Sequence, residues 1–186
     1  MTPQLLPPVV VSGFGRCGSS LVMQMLHAAG FPVTGDYPSF ECEEYGLGGE
    51  PPPAGASKVI NPECNPPPGG PYRWIWLDRN HAQQAKSQAK LLRELAGIRL
   101  PRRDVRVLAC SYAPARRDAF DVMRRLGGPV LVMSFEELVS DPCASAKRIS
   151  DFVGCGQIEQ MANVVKKRSA DCLPYLLERE LLQGAA

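Results

Sequence analysis

The sequence predicts an α/β protein with a central parallel sheet flanked by helices, and three observations carry that reading. Short apolar runs rich in Val, Ile or Trp (residues 9–12, 73–77 and 130–133) alternate with stretches of helical periodicity. The runs are apolar on consecutive positions, as strands covered on both faces are. Glycine or proline stands at nearly every junction.

Taken in order, residues 9–12 form a first strand bounded by Pro8 and Gly13. Residues 19–29 then place Leu21, Val22, Met25, Leu26 and Ala29 at helical spacing, with Ser19 or a neighbour as cap and Gly30 as stop. From 31 to 70 the chain is rich in Pro and Gly, which predicts mostly irregular structure with a short extended piece at 58–60. A loop of that length inside a small domain is usually functional. Residues 73–77 read as a strand and 81–97 as a helix ending at its glycine. Residues 118–126 look helical, Gly127-Gly128-Pro129 breaks the pattern, and 130–133 is another buried strand. Asp141-Pro142 opens a helix to about Val153. Segments 158–168 and 173–182 read as terminal helices.

Composition limits what the chain can be. At 186 residues, 45% of them hydrophobic, it is long enough to bury a real core and too short to promise two independent ones, so residues 1–186 are read as a single domain. A net charge of +2 and the lack of long like-charge runs give no sign of a nucleic-acid partner. Seven cysteines, an odd number without a Cys-x-x-Cys pair, fit reduced thiols in a cytoplasmic protein better than a zinc site or a disulfide framework. No positively charged leader and no apolar run of membrane-spanning length occurs, so neither export nor a membrane partner is expected.

The chemistry concentrates in Gly13-Phe14-Gly15-Arg16-Cys17-Gly18-Ser19-Ser20. A strand that ends in a glycine-rich turn and opens a helix points several backbone N–H groups, and the positive end of the helix dipole, at one place. That suits phosphate or sulfate, and it makes the expected fold a three-layer, P-loop-type one. The nucleoside triphosphatase pattern Gly-x-x-x-x-Gly-Lys-Ser/Thr is not met, because Ser19 stands in the lysine position, which argues against a nucleotide kinase. Arg16 supplies the cation instead. A plain structural turn with a solvated arginine is the alternative. Cys17 sits where a helix N-terminus would activate a thiol.

Arg16-Cys17-Gly18-Ser19-Ser20 after a strand resembles the 5′-phosphosulfate loop of sulfotransferases that use 3′-phosphoadenosine 5′-phosphosulfate (PAPS), departing from it only at Cys17. The wording from Val10 to Leu26 is similar in particular to bacterial sulfotransferase-like proteins. A second match lies at Asp78-Arg79-Asn80, with Ser87 eight residues after Arg79, the family's spacing for a 3′-phosphate. A third covers Val132-Met133-Ser134-Phe135-Glu136-Glu137-Leu138 and Asp141-Pro142, which resemble the family's late strand, turn and helix.

The resemblance implies PAPS as co-substrate, held without a metal. Gly15, Arg16, Cys17, Gly18, Ser19 and Ser20 would bind its 5′ end, and Arg79 and Ser87 its 3′-phosphate. Lys58 resembles the family's lysine on its second strand and would meet the developing negative charge, whereas Ile60 stands where many members carry a catalytic histidine. A carboxylate base for a small-molecule or glycan acceptor is then expected from the loop after the first helix, with Glu43 and Glu44 ahead of Glu41; a solvated acidic loop is the alternative. His27 and His81 read as packing or capping residues. Lys166-Lys167-Arg168 reads as a solvated face, and the family's Gly-rich closing motif is missing. A nucleotide-binding domain of the same fold without transfer activity is the rival reading.

Overall fold

The computed structural model describes residues 7–41 and 55–166. Four strands, β1 (Val9–Gly13), β2 (Ala56–Ile60), β3 (Arg73–Asp78) and β4 (Val130–Ser134), form one sheet. Its order is β2-β1-β3-β4 and every pair is parallel, with Val11 level with Lys58 and Ile75. Six helices among the described residues cover it: α1 (Ser19–Ala28), α2 (His81–Ala96), α3 (Arg102–Leu126), α4 (Phe135–Ser140), α5 (Pro142–Val153) and α6 (Ile158–Asn163). The expected fold of a parallel sheet between helical layers is present.

Alternation along the strands divides the interior in two. Val9, Val11, Ile75, Leu77 and Met133 face a core completed by Val22, Leu26, Ile149 and Met161 from α1, α5 and α6. Val10, Val59, Trp74 and Trp76 face the other, closed by Tyr112, Ala119 and Met123 of α3. Burying each of these larger side chains contributes about 1.5–3 kcal/mol. Both indole N–H groups keep a partner, Trp74 donating to Gly127 O and Trp76 to Asp78 Oδ1. Arg73, at the start of β3, is a structural arginine: it donates to Phe152 O and Val153 O at the end of α5.

Four elements differ from the sequence expectation. β4 is not a buried strand: it lies at the edge of the sheet, Val130 and Val132 are exposed, and only Met133 is buried. α3 begins at Arg102 rather than 118, because Val105, Leu108, Ala109, Tyr112, Ala115, Ala119, Val122 and Met123 recur at helical spacing and turn inward. Of the arginines between them Arg102, Arg103, Arg106 and Arg117 ride outside and Arg116 is half-buried, and Pro114 lies on the exposed side. Residues 135–138 are not a turn but the short helix α4, fixed by a capping box between Ser134 and Glu137. β2 starts at Ala56, two residues earlier than the extended piece read from sequence. Of the expected terminal helices, the first runs over Ile158–Asn163, and the second lies outside the described residues.

The strand order fixes where a ligand can sit. β1 leads through α1 to β2 on one side, while β3 leads to β4 on the other, so a crevice opens at the carboxyl ends of β1 and β3. In open parallel sheets that is where ligands bind.

Candidate phosphate-binding site

The loop from Gly13 to Gly18 lies at that crevice. A Cβ at Gly13 would stand 2.6 Å from Cys17 Sγ and 2.8 Å from Leu77 O, so the turn closes only over glycine. Cys17 N donates to Phe14 O, and Phe14 stacks on Tyr112 and meets Trp76 edge-to-face, each 5.3 Å away between ring centroids. Gly18, with φ of 102°, is the N-cap of α1, and no side chain caps that helix. The cap falls on Gly18, the neighbour of Ser19, while Ser19 itself is buried and hydrogen-bonds toward Cys17. Apart from the Ser19 N–H, which also turns to the Cys17 sulfur, no side chain among the described residues caps the start of α1, which leaves it open to an anion.

Two arginines meet at this point. Arg16, in the left-handed region at φ 68°, donates from Nε to Ser87 Oγ at 3.3 Å. Arg79 donates from Nη1 to Arg16 O at 2.7 Å and lies over the Phe135 ring, 4.2 Å from its centroid. Its Nε is buried and has no hydrogen-bond partner among the described residues. Burial pushes both guanidiniums below their usual range, and the Arg79 charge adds to the effect on Arg16. Arg16, Arg79 and Ser87, assigned from sequence to two ends of a nucleotide, thus lie in one cluster.

Lys58 approaches from the other side. Its Nζ donates to Ser20 Oγ at 3.2 Å, to Ser39 O at 2.5 Å and to Glu41 Oε1 at 3.0 Å. Its side chain is buried, whereas that of Glu41 is 66% exposed. Burial pulls the ammonium below its usual range, and Glu41 only partly restores it. So Lys58, Ser20 and Glu41 are brought together at the first turn of α1. Glu43 and Glu44 lie outside the described residues, as do Lys167 and Arg168. His27 packs on Phe40 and His81 on Tyr112, in keeping with packing roles.

One expectation is corrected. Cys17 is not an activated thiol: its side chain is in the core, and burial pushes its pKa up, with hydrogen bonding from Ser19 offsetting only part. Only its backbone remains in the loop.

Some contributors were not singled out from sequence. Gln84, 1% exposed, donates from Nε2 to Phe14 O and Gly15 O, so α2 holds the loop's carbonyls. A Cβ on Gly15 would stand 3.2 Å from Gln88 Oε1. Positions 84, 87 and 88 share one face of a helix, the signal that could have grouped them. Phe135 supports Arg79, and Arg116 grips both oxygens of Asp78 at 2.8 Å, fixing the turn that carries Arg79.

The mouse sulfotransferase SULT7A1, solved in complex with PAP, superposes with a TM-score of 0.56 at 14% identity over 86% of this chain. The fold is a sulfotransferase fold. The sulfotransferase domain of the Synechococcus PCC 7002 olefin synthase gives 0.53 at 18% identity, covering 97% of this chain and 84% of that domain. This chain spans 62% of the mouse protein's length. Neither a protein-family model nor a curated protein matches the sequence. Among the described residues no helix is long and apolar enough to cross a membrane.

Proposed function

We propose that this chain is a PAPS-dependent sulfotransferase, transferring a sulfuryl group to a hydroxyl or amine of a small-molecule or glycan acceptor. One observation carries the reading. Two half-buried, mutually repelling arginines converge with Ser87 beside the uncapped start of α1, an arrangement that an anion would complete. The mouse protein's complex with PAP supports the choice of nucleotide.

In this reading the backbone from Gly15 to Ser20, with Arg16, Ser19 and Ser20, holds the 5′ end, and Arg79 with Ser87 holds the 3′-phosphate. The acceptor heteroatom attacks sulfur in line, the bond from sulfur to the bridging oxygen breaks, and 3′-phosphoadenosine 5′-phosphate (PAP) leaves. Negative charge grows on that oxygen, and Lys58, beside Ser20, is positioned to meet it. The acceptor's proton goes to a carboxylate of the loop after α1, Glu43 or Glu44 as first candidates, with Glu41 already in contact with Lys58. No metal is needed. The free thiols among the described residues suit a cytoplasmic protein, and residues 1–186 act as one domain.

Calorimetry with PAP and with the same nucleotide lacking its 3′-phosphate tests the proposal. Wild type prefers PAP by roughly one to two orders of magnitude, since a charge-assisted contact contributes about 1.5–3 kcal/mol, and Arg79→Ala removes most of that preference. A wild type indifferent to the 3′-phosphate overturns the nucleotide assignment. Preference without sulfated product from any acceptor, with Lys58→Ala leaving binding intact, favours the binding-domain reading instead.

A further inference from the structure

The α2–α3 hairpin reaches past the body of the protein. Tyr112 lies on Phe14 and His81, Arg116 on Asp78, and Phe120 on Trp76. α3 therefore enters the body at Tyr112, level with the carboxyl ends of β1 and β3. α2 starts at that level and packs along α3. Residues 102–111 extend beyond the sheet by about 15 Å at 1.5 Å per residue.

The tip combines two features that seldom coincide on a solvated surface. Leu95, Ile98 and Val107 are 65%, 49% and 62% exposed, half of the large hydrophobic residues exposed among those described. Around them stand Arg99, Arg102, Arg103 and Arg106, all exposed and none in an ion pair among the described residues. Residues 99–107 hold four arginines against the single acid Asp104, more positive charge than the +2 of the whole chain.

We propose that this tip docks on an anionic lipid bilayer, with Leu95, Ile98 and Val107 in the headgroup layer and the four guanidiniums on lipid phosphates. Aliphatic and cationic side chains interleaved on a helical surface have that complementarity. Nucleic acid would use the arginines, but residues 95–107 offer no aromatic ring for base stacking. A second copy of the chain would bring eight like charges together. The expectation of no membrane partner rests on the lack of long apolar runs, which bears on spanning and not on surface docking. Arg16 and Arg79 lie at the same sheet edge, so a docked molecule turns the candidate site toward the headgroups. Docking does not depend on the nucleotide reading, and it is measured without nucleotide.

Sedimentation of the full chain with vesicles is the test. Binding is expected to phosphatidylcholine vesicles containing phosphatidylglycerol, not to phosphatidylcholine alone, and to weaken steeply with salt. Arg103→Gln and Arg106→Gln each lower the partition coefficient about fivefold, and Leu95→Gln with Ile98→Gln lowers it roughly tenfold, at unchanged melting temperature. No binding to anionic vesicles overturns the proposal. So does binding that is insensitive to the arginine variants, or heparin binding as strong as vesicle binding and untouched by the aliphatic variants. A concentration-dependent dimer abolished by Leu95→Gln with Ile98→Gln assigns the patch to a second copy and equally overturns it.

Discussion

Cys17 follows Arg16 in the loop, yet its side chain turns into the core behind β1, while the half-buried Arg16 guanidinium reaches α2. The direction of one Cα–Cβ bond decides between the chemistry of a reactive thiol and that of a small apolar side chain. In native protein, alkylation should therefore modify the exposed Cys64, Cys110 and Cys143 first and leave Cys17 until the fold opens, as peptide mass spectrometry would read. Rapid native labelling of Cys17 would contradict this. The raised pKa also has a pH signature. The fold keeps this thiol neutral above the ordinary value of 9.0, where the unfolded chain ionises, so its contribution is complete below that value and is lost as pH rises toward the folded value. The stability gap between wild type and Cys17→Ala, roughly 1–2 kcal/mol from lost packing, should be constant through neutral pH and narrow above about pH 9 in denaturant titrations. Lys58 has the opposite displacement from the same cause, burial of its charged form.

At the scale of elements, α2 contributes the backbone order of the loop as well as Ser87. Gln84 satisfies Phe14 O and Gly15 O from a helix seventy residues along the chain, which helps aim the loop's N–H groups away from those carbonyls. Gln84→Leu keeps the volume and takes the side-chain donor from Gly15 O, while Phe14 O keeps Cys17 N, so it should cost about 1–3 kcal/mol in thermal or denaturant unfolding and weaken PAP binding. Full stability with wild-type affinity would remove Gln84 from the site. Gln84 also marks the limit of what the sequence discloses. β1, its glycine loop, α1, β3, β4 and α5 could be read because apolar runs and glycine breaks are local signals. The start of α3 could not, since arginines and Pro114 mask an inward face spaced every three or four residues. α4 was hidden because its capping box closes a helix of six residues that reads as a turn. Arg16, Ser20, Lys58, Arg79 and Ser87 were each legible as candidates. That Arg16 touches Ser87, or that Glu41 meets Lys58, depends on contacts between segments that no local pattern encodes.

For the whole molecule, the cluster is a cost that the sheet and its two cores offset. Arg16 and Arg79 are both held partly out of water, near each other, with Arg79 Nε lacking a partner among the described residues. Groups arranged this way favour a bound anion over the empty protein, so ligand binding and global stability should be linked. A ligand that binds only the folded chain at a hundred times its Kd stabilises by about 2.7 kcal/mol. For a chain of this size, each kcal/mol moves Tm by roughly 2–4 °C, so saturating PAP should raise it by about 5–11 °C, and free sulfate by less. Arg16→Met should separate the two effects. Removing one of two repelling, desolvated charges should leave the ligand-free Tm unchanged or slightly higher, while most of the PAP-induced rise disappears. Scanning calorimetry of both proteins with and without PAP decides it. If Arg16→Met instead lowers the ligand-free Tm by several degrees and keeps the full ligand response, then Arg16 supports the fold through Ser87 and the anion is held elsewhere.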